Sequence, residues 1–136
     1  MNRILLAGLL SPFLLGCVAP VERVPLQPLP ENGQVLPYAE LLTRVRAQAS
    51  AANDAFYLDR WEDLESLARG IEQTARFLSK AQEVPAKNKD ILNEVTGDLA
   101  KSALKLKAAA NAHNVKDTTD ALQQINVKVR QLRLTD

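Results

Sequence analysis

The chain has 136 residues, 46% of them hydrophobic, 4% aromatic and 24% charged, with one Cys, one His and a formal net charge of +1. That length accommodates one ordinary domain, and a charge so near zero argues against a broad nucleic-acid-binding surface. A single Cys excludes a disulfide framework and a four-thiolate zinc site, while a single His excludes HExxH zinc chemistry and leaves little material for a catalytic triad.

The chain opens with Met1, Asn2 and one cation at Arg3, followed by a nearly unbroken apolar stretch from Ile4 to Leu15 and then Gly16-Cys17. A charged start and a short apolar run are the pattern of a secretory signal. The run falls well short of the roughly 20 residues that cross a bilayer as a helix, and Ser11-Pro12 would kink it.

The closing residues Leu14-Leu15-Gly16-Cys17 resemble the lipobox of bacterial lipoproteins, with an aliphatic residue three before the Cys and a small one just before it. The resemblance implies residues 1–16 as a signal peptide cleaved after Gly16, and acylation on Cys17. Two or more acyl chains anchor a protein stably where one does not. Val18 occupies the position where that class carries an Asp for inner-membrane retention, so the implied location is the outer membrane, facing the periplasm. The alternative at this point is an unlipidated secreted protein.

Residues 17–37 form the predicted tether, since Val18 to Pro37 holds five of the seven prolines and no helical or alternating pattern. In polyproline II form, at about 3.1 Å per residue, it would reach roughly 60 Å from the lipid. A PxxP ligand at Pro25-Leu26-Gln27-Pro28 competes with the spacer reading.

From Tyr38 to Asp136 the composition turns to alanine, leucine and mixed charge, and four helices can be phased. Helix A carries Leu42, Val45, Ala49, Ala52 and Phe56, and must break near Tyr57 to Asp59 because its phase would otherwise bury Asp59 and Asp63. A fused A and B would instead leave three helices. Helix B carries Trp61, Leu64, Ala68, Ile71, Ala75 and Leu78, with Asp59 and Glu62 predicted as a capping box. Pro85 is predicted to open helix C, with Leu92, Val95, Leu99, Ser102, Leu106, Ala109 and, at the end of the seam, His113. Asn114, with Asp117 three residues on, reads as the cap of helix D, whose seam is Thr118, Leu122, Ile125, Val129 and Leu132.

Short loops between four amphipathic helices predict an all-α, antiparallel up-down-up-down four-helix bundle over residues 38–136. Gly70 and Gly97 fall inside helices B and C; close helix contact, surface tolerance and space for a ligand are all open readings.

In helix lengths, Ala-rich seams and the stretch Ala109 to Arg133, the domain resembles the cytochrome c-prime and cytochrome b562 type of bundle. The c-prime family carries a CxxCH haem attachment on its last helix, followed by an aromatic residue and an Arg. Aligning that Arg with Arg133 places Leu132 at the aromatic position, Ile125 and Lys128 at the two Cys positions and Val129 at the His position. The haem-bearing residues are therefore absent, Met1 is the sole Met, and the resemblance implies a haem-less scaffold.

His113 is predicted to favour the dipole at the end of helix C and to bond its last carbonyls, with a haem or metal ligand as the low-ranking alternative. The acids Asp59, Glu62, Asp63 and Glu65 read as helix-start residues rather than a metal or glycosidase pair. Charge partitions along the chain, from net −2 over residues 38–84 to net +4 over 85–133, where Lys101, Lys105, Lys128, Arg130 and Arg133 lie. A solvated face, or contact with anionic headgroups or an acidic partner, would follow.

The expected function is a lipid-anchored structural or interaction module of the bacterial envelope with no catalytic residues, cofactor, metal or nucleic-acid partner. It would contact the membrane through Cys17 and a protein or envelope component through a helix face. The second reading is a ligand- or haem-binding protein on a cytochrome-like scaffold.

Overall fold

The computed structural model describes residues 28–29 and 35–133, and Cys17 with the predicted signal peptide lies outside them. The described residues are all-helical: α1 (Tyr38–Tyr57), α2 (Trp61–Leu78), the single turn α3 (Ala86–Lys89), α4 (Leu92–Asn111) and α5 (Val115–Gln131). Apart from helices, one isolated parallel bridge joins Pro37 and Gln82. Helix α1 packs against α2 and α5, and α4 packs against the same two, contacts consistent with a bundle.

Each helix forms because its apolar residues recur on one face. In α2, Leu64, Ala68, Ile71, Ala75 and Leu78 are buried while the intervening Glu62, Asp63, Arg69 and Arg76 stay in water, the separation that lets a helix bury one stripe. The predicted seams of α4 and α5 are buried from Leu92 to Ala109 and from Thr118 to Leu132. The buried stripe of α1 is wider than the heptad pattern indicates. Tyr38, Leu41, Gln48 and Ala55 join Leu42, Val45, Ala49 and Ala52, because α1 faces two neighbouring helices and not one.

Three junctions decide where the helices stop. Helices α1 and α2 are separate, and the break closes as a Schellman turn: Asp59 N–H donates to the Phe56 carbonyl at 3.1 Å and Arg60 N–H to that of Ala55 at 2.9 Å. Asp59 takes the left-handed backbone with φ of 53°, a region Asp tolerates better than most side chains. The predicted Asp59–Glu62 capping box is therefore not formed. The residue at the N-cap is Arg60, which makes no side-chain cap bond, because the α1 closure uses Asp59 one position too early. Helix C also departs from expectation. Pro85 caps α3 only, and α4 begins at Leu92 after Asp90 and Ile91. Helix α5 starts as predicted, with the Asp117 N–H donating to Asn114 Oδ1 at 3.0 Å.

Part of the predicted tether lies against the helices. The Leu29 N–H donates to Gln73 Oε1 at 3.0 Å, and Gln73 Nε2 donates back to the Leu29 carbonyl at 2.8 Å. Gln82 N–H donates to the Leu36 carbonyl at 3.3 Å and Tyr38 N–H to that of Gln82 at 2.9 Å, while Leu29 and Leu36 pack on the core. The described part of the predicted tether, at Leu29 and at Leu36, is therefore held on the helices.

Candidate functional site

The junctions α1–α2 and α4–α5 meet at one end of the molecule. Helix α4 closes like α1, with His113 N–H donating to the Ala110 carbonyl at 3.0 Å and Asn114 N–H to that of Ala109 at 2.9 Å. His113 takes the left-handed position, with φ of 50°. Its imidazole is stacked on the indole of Trp61, ring centroids 4.9 Å apart and planes 14° from parallel. Phe56 meets the Trp61 ring edge-on, with centroids 5.8 Å apart.

This corrects two expectations for His113. It lies beyond the end of the α4 seam and is exposed, and it is its backbone N–H, two residues past Asn111, that satisfies a terminal carbonyl. A haem held between helices needs an imidazole directed into the interior. The His113 ring instead lies exposed against Trp61 and is not directed between the helices. Among the described residues, no group of three or more His, Cys, Asp and Glu side chains is placed to hold a metal ion.

The same end carries an apolar patch. Tyr57 is 83% exposed, with Leu58 and Val115 also largely in water. The two junctions also carry the exposed carboxylates Asp54, Asp59, Glu62, Asp63 and Asp117, with the exposed Lys116 beside Val115. Of the acids singled out in the sequence, Asp63 is paired with Arg60 at 3.1 Å and Glu65 with Arg69 at 3.1 Å. They are neighbours along one helix and do not converge on a reacting centre. Tyr57 and Leu58 stand exposed at the end of α1, just before the left-handed turn at Asp59.

The predicted basic face is partly used internally. Lys128 on α5 reaches across to Asp98 on α4, Nζ to Oδ2 at 2.8 Å, and Lys101 approaches the same carboxylate at 3.7 Å. The Lys128 hydrogen bond and charge hold the Asp98 carboxyl below the usual aspartate range. Lys101, Lys105, Arg130 and Arg133 remain exposed.

The two helix glycines differ. A Cβ on Gly97 would meet nothing within 4 Å, whereas one on Gly70 would fall 2.8 Å from Gln48 Nε2. Gln48 is 2% exposed, and its Oε1 accepts a 2.9 Å hydrogen bond from Thr74 Oγ1. This buried polar pair occupies the α1–α2 interface that sequence patterning fills with apolar residues alone. Gly70 is the residue that admits it, and it also lines a surface groove over α2. Comparison of the chain with protein-family models, curated proteins and solved structures gave no match.

Proposed function

We propose that this protein is a lipid-anchored module of the bacterial envelope, held by acyl chains on Cys17 at the outer membrane and acting by binding rather than by catalysis. The observation that carries the reading is the stretch Leu14-Leu15-Gly16-Cys17 after a short apolar run with one leading cation. Its helical part is read as an antiparallel up-down-up-down four-helix bundle. The pairing of α1 with α2 and α5, and of α4 with the same two, supports that arrangement.

In this reading the chain enters the bundle at the Tyr38 end. The patch of Tyr57, Leu58 and Val115 then lies a full helix length away, about 30 Å for twenty residues. An apolar centre at junctions where exposed carboxylates outnumber exposed cations suits a partner segment that is basic around an apolar core.

Two measurements test the proposal. In cells, Cys17→Ala should abolish palmitate incorporation and release the protein from the membrane fraction; unchanged labelling and fractionation would remove the anchoring argument. A photo-crosslinker at Tyr57 should give a discrete adduct with a basic envelope protein that one at the exposed Ser50 does not. Equal capture from both positions would count against the patch.

A further inference from the structure

Exposed charge is unevenly shared among the helices. Beyond its first turn, where Glu62 and Asp63 stand, the exposed charged residues of α2 are Arg69 and Arg76. Beyond the first turn of α4, which holds Glu94, they are Lys101 and Lys105. Helices α1 and α5 instead mix the two signs, with Glu40, Arg46 and Asp54 on one and Lys116, Asp117, Asp120 and Arg130 on the other.

The carboxylates that accompany the α2 and α4 cations are drawn inward. Arg69 and Arg76 are 59% and 60% exposed, whereas their ion-pair partners Glu65 and Glu72 are 25% and 23% exposed. Each pair therefore presents its guanidinium to the outside. Asp98 on α4 is held by Lys128 from the α5 side.

Helices α2 and α4 pack against each other, and Arg69, Arg76, Leu104 and Lys107 line one surface groove. Leu104 is 56% exposed, with Lys101 one turn before it and Lys107 one turn after it. Cations around an exposed aliphatic side chain suit an anionic bilayer surface, where the charges meet headgroup phosphates and the apolar group enters the boundary with the acyl chains.

The described chain also begins on this face. Leu29 is fixed to Gln73, and Pro28 lines the same groove. Cys17 precedes Pro28 by eleven residues, and a chain of that length spans no more than about 40 Å when fully extended. Acyl chains on Cys17 would keep the face within that distance of a bilayer, so that contact becomes an intramolecular event at high effective concentration.

We propose that the α2–α4 face docks on an anionic phospholipid surface, with Leu104 in the headgroup layer and Arg69, Arg76, Lys101 and Lys107 against the phosphates. The proposal rests on the anchored reading for the acyl chains that bring the face to the bilayer. Glu62 and Asp63, in the first turn of α2, are repelled by such a surface, which leaves the neighbouring Tyr57 and Leu58 clear of it for a protein partner.

The test uses the protein purified from cell membranes and reconstituted on vesicles of phosphatidylcholine, with and without phosphatidylglycerol, both carrying a trace of radiolabelled phosphatidylcholine. A photo-crosslinking residue replaces Leu104 or, as the control, the exposed Thr119 on α5, a helix that does not touch α2. Labelled lipid should attach at position 104 when phosphatidylglycerol is present, and far less at 119. The yield at 104 should fall at least about threefold without phosphatidylglycerol, at high salt, or in the double variant Arg69→Gln, Arg76→Gln. The double variant Arg69→Lys, Arg76→Lys should restore it, because the role is one of charge.

Flotation with pure phosphatidylcholine vesicles reports the anchor separately. Protein that floats there but gives equal yields at 104 and 119, or equal yields with and without phosphatidylglycerol, overturns the docking alone. Protein that floats and crosslinks through 104 only with phosphatidylglycerol overturns the anchor and supports the docking. Protein that floats with neither vesicle overturns both.

Discussion

The Tyr38 hydroxyl donates a 2.6 Å hydrogen bond to the carbonyl of Leu132, joining the first residue of α1 to the residue that ends α5, 94 positions later. Asn88 Nδ2 donates to the same hydroxyl at 2.9 Å and reaches the carbonyls of Leu132 and Arg133 at 3.4 and 3.3 Å. One phenol thereby ties both ends of the helical domain to the α3 turn. Tyr38→Phe keeps the packing but removes the hydroxyl that satisfies these buried groups. It should lower unfolding free energy by about 1–3 kcal/mol, measured by urea denaturation at pH 7.

The same phenol gives an alkaline limit. Burial raises the Tyr38 pKa above the ordinary tyrosine value, against a smaller opposing effect of the Asn88 hydrogen bond. The folded state therefore retains the proton at a pH where the unfolded chain has lost it. The contribution is complete below about pH 10 and is lost as pH rises through the folded value. Urea midpoints should fall above pH 10 in the parent, and fall less steeply in Tyr38→Phe.

Asp98 acts at the opposite extreme. Because Lys128 depresses its pKa, its contribution is present above the unfolded value of about 3.9 and is lost as pH falls through the lower folded value. The stability difference between the parent and Asp98→Asn should be larger at pH 7 than at pH 2.5. A difference independent of pH would mean that the Lys128 contact carries no charge-dependent stability.

The glycines give a paired prediction. Gly97→Ala should stabilise α4 by about 0.5–1 kcal/mol, the intrinsic preference for Ala, since its Cβ enters open space. Gly70→Ala has the same intrinsic gain, but its Cβ displaces the Gln48 amide and disturbs the Thr74 hydrogen bond. It should be no more stable than the parent, and thermal melts of both variants under one condition make the comparison.

The Gln73 side chain holds the tether segment at Leu29. Gln73→Ala removes both hydrogen bonds to Leu29, so the Leu29 amide should lose its protection in hydrogen exchange while those of Leu99 and Ile125 keep theirs. Equal protection at Leu29 in both proteins would show that apolar contact alone holds this segment.

Periodicity located the core faces of α2, α4 and α5 because burial on a helix is a local property of spacing: Leu64 and Ile71, or Leu122 and Val129, are two turns apart on one stripe. It also located the α5 cap, since Asn114 and Asp117 are three residues apart and close their bond within one turn. The α1–α2 junction was harder to assign. Asp59 has the chemistry of an N-cap and of a left-handed C-terminal residue, and the carbonyls of Ala55 and Phe56 chose between them.

What the sequence by itself determined was its helical character, the approximate division into helices and the pattern at Cys17, all carried by residues close together in the chain. Only the tertiary structure decided that Gln48 would sit over Gly70, that Trp61 would stack on His113 and that Leu29 would be clamped by Gln73. Each of these joins residues separated by many positions or lying on different helices. Their distances follow from the rotation and depth at which the helices pack, and the spacing of apolar residues along one helix leaves both of those free.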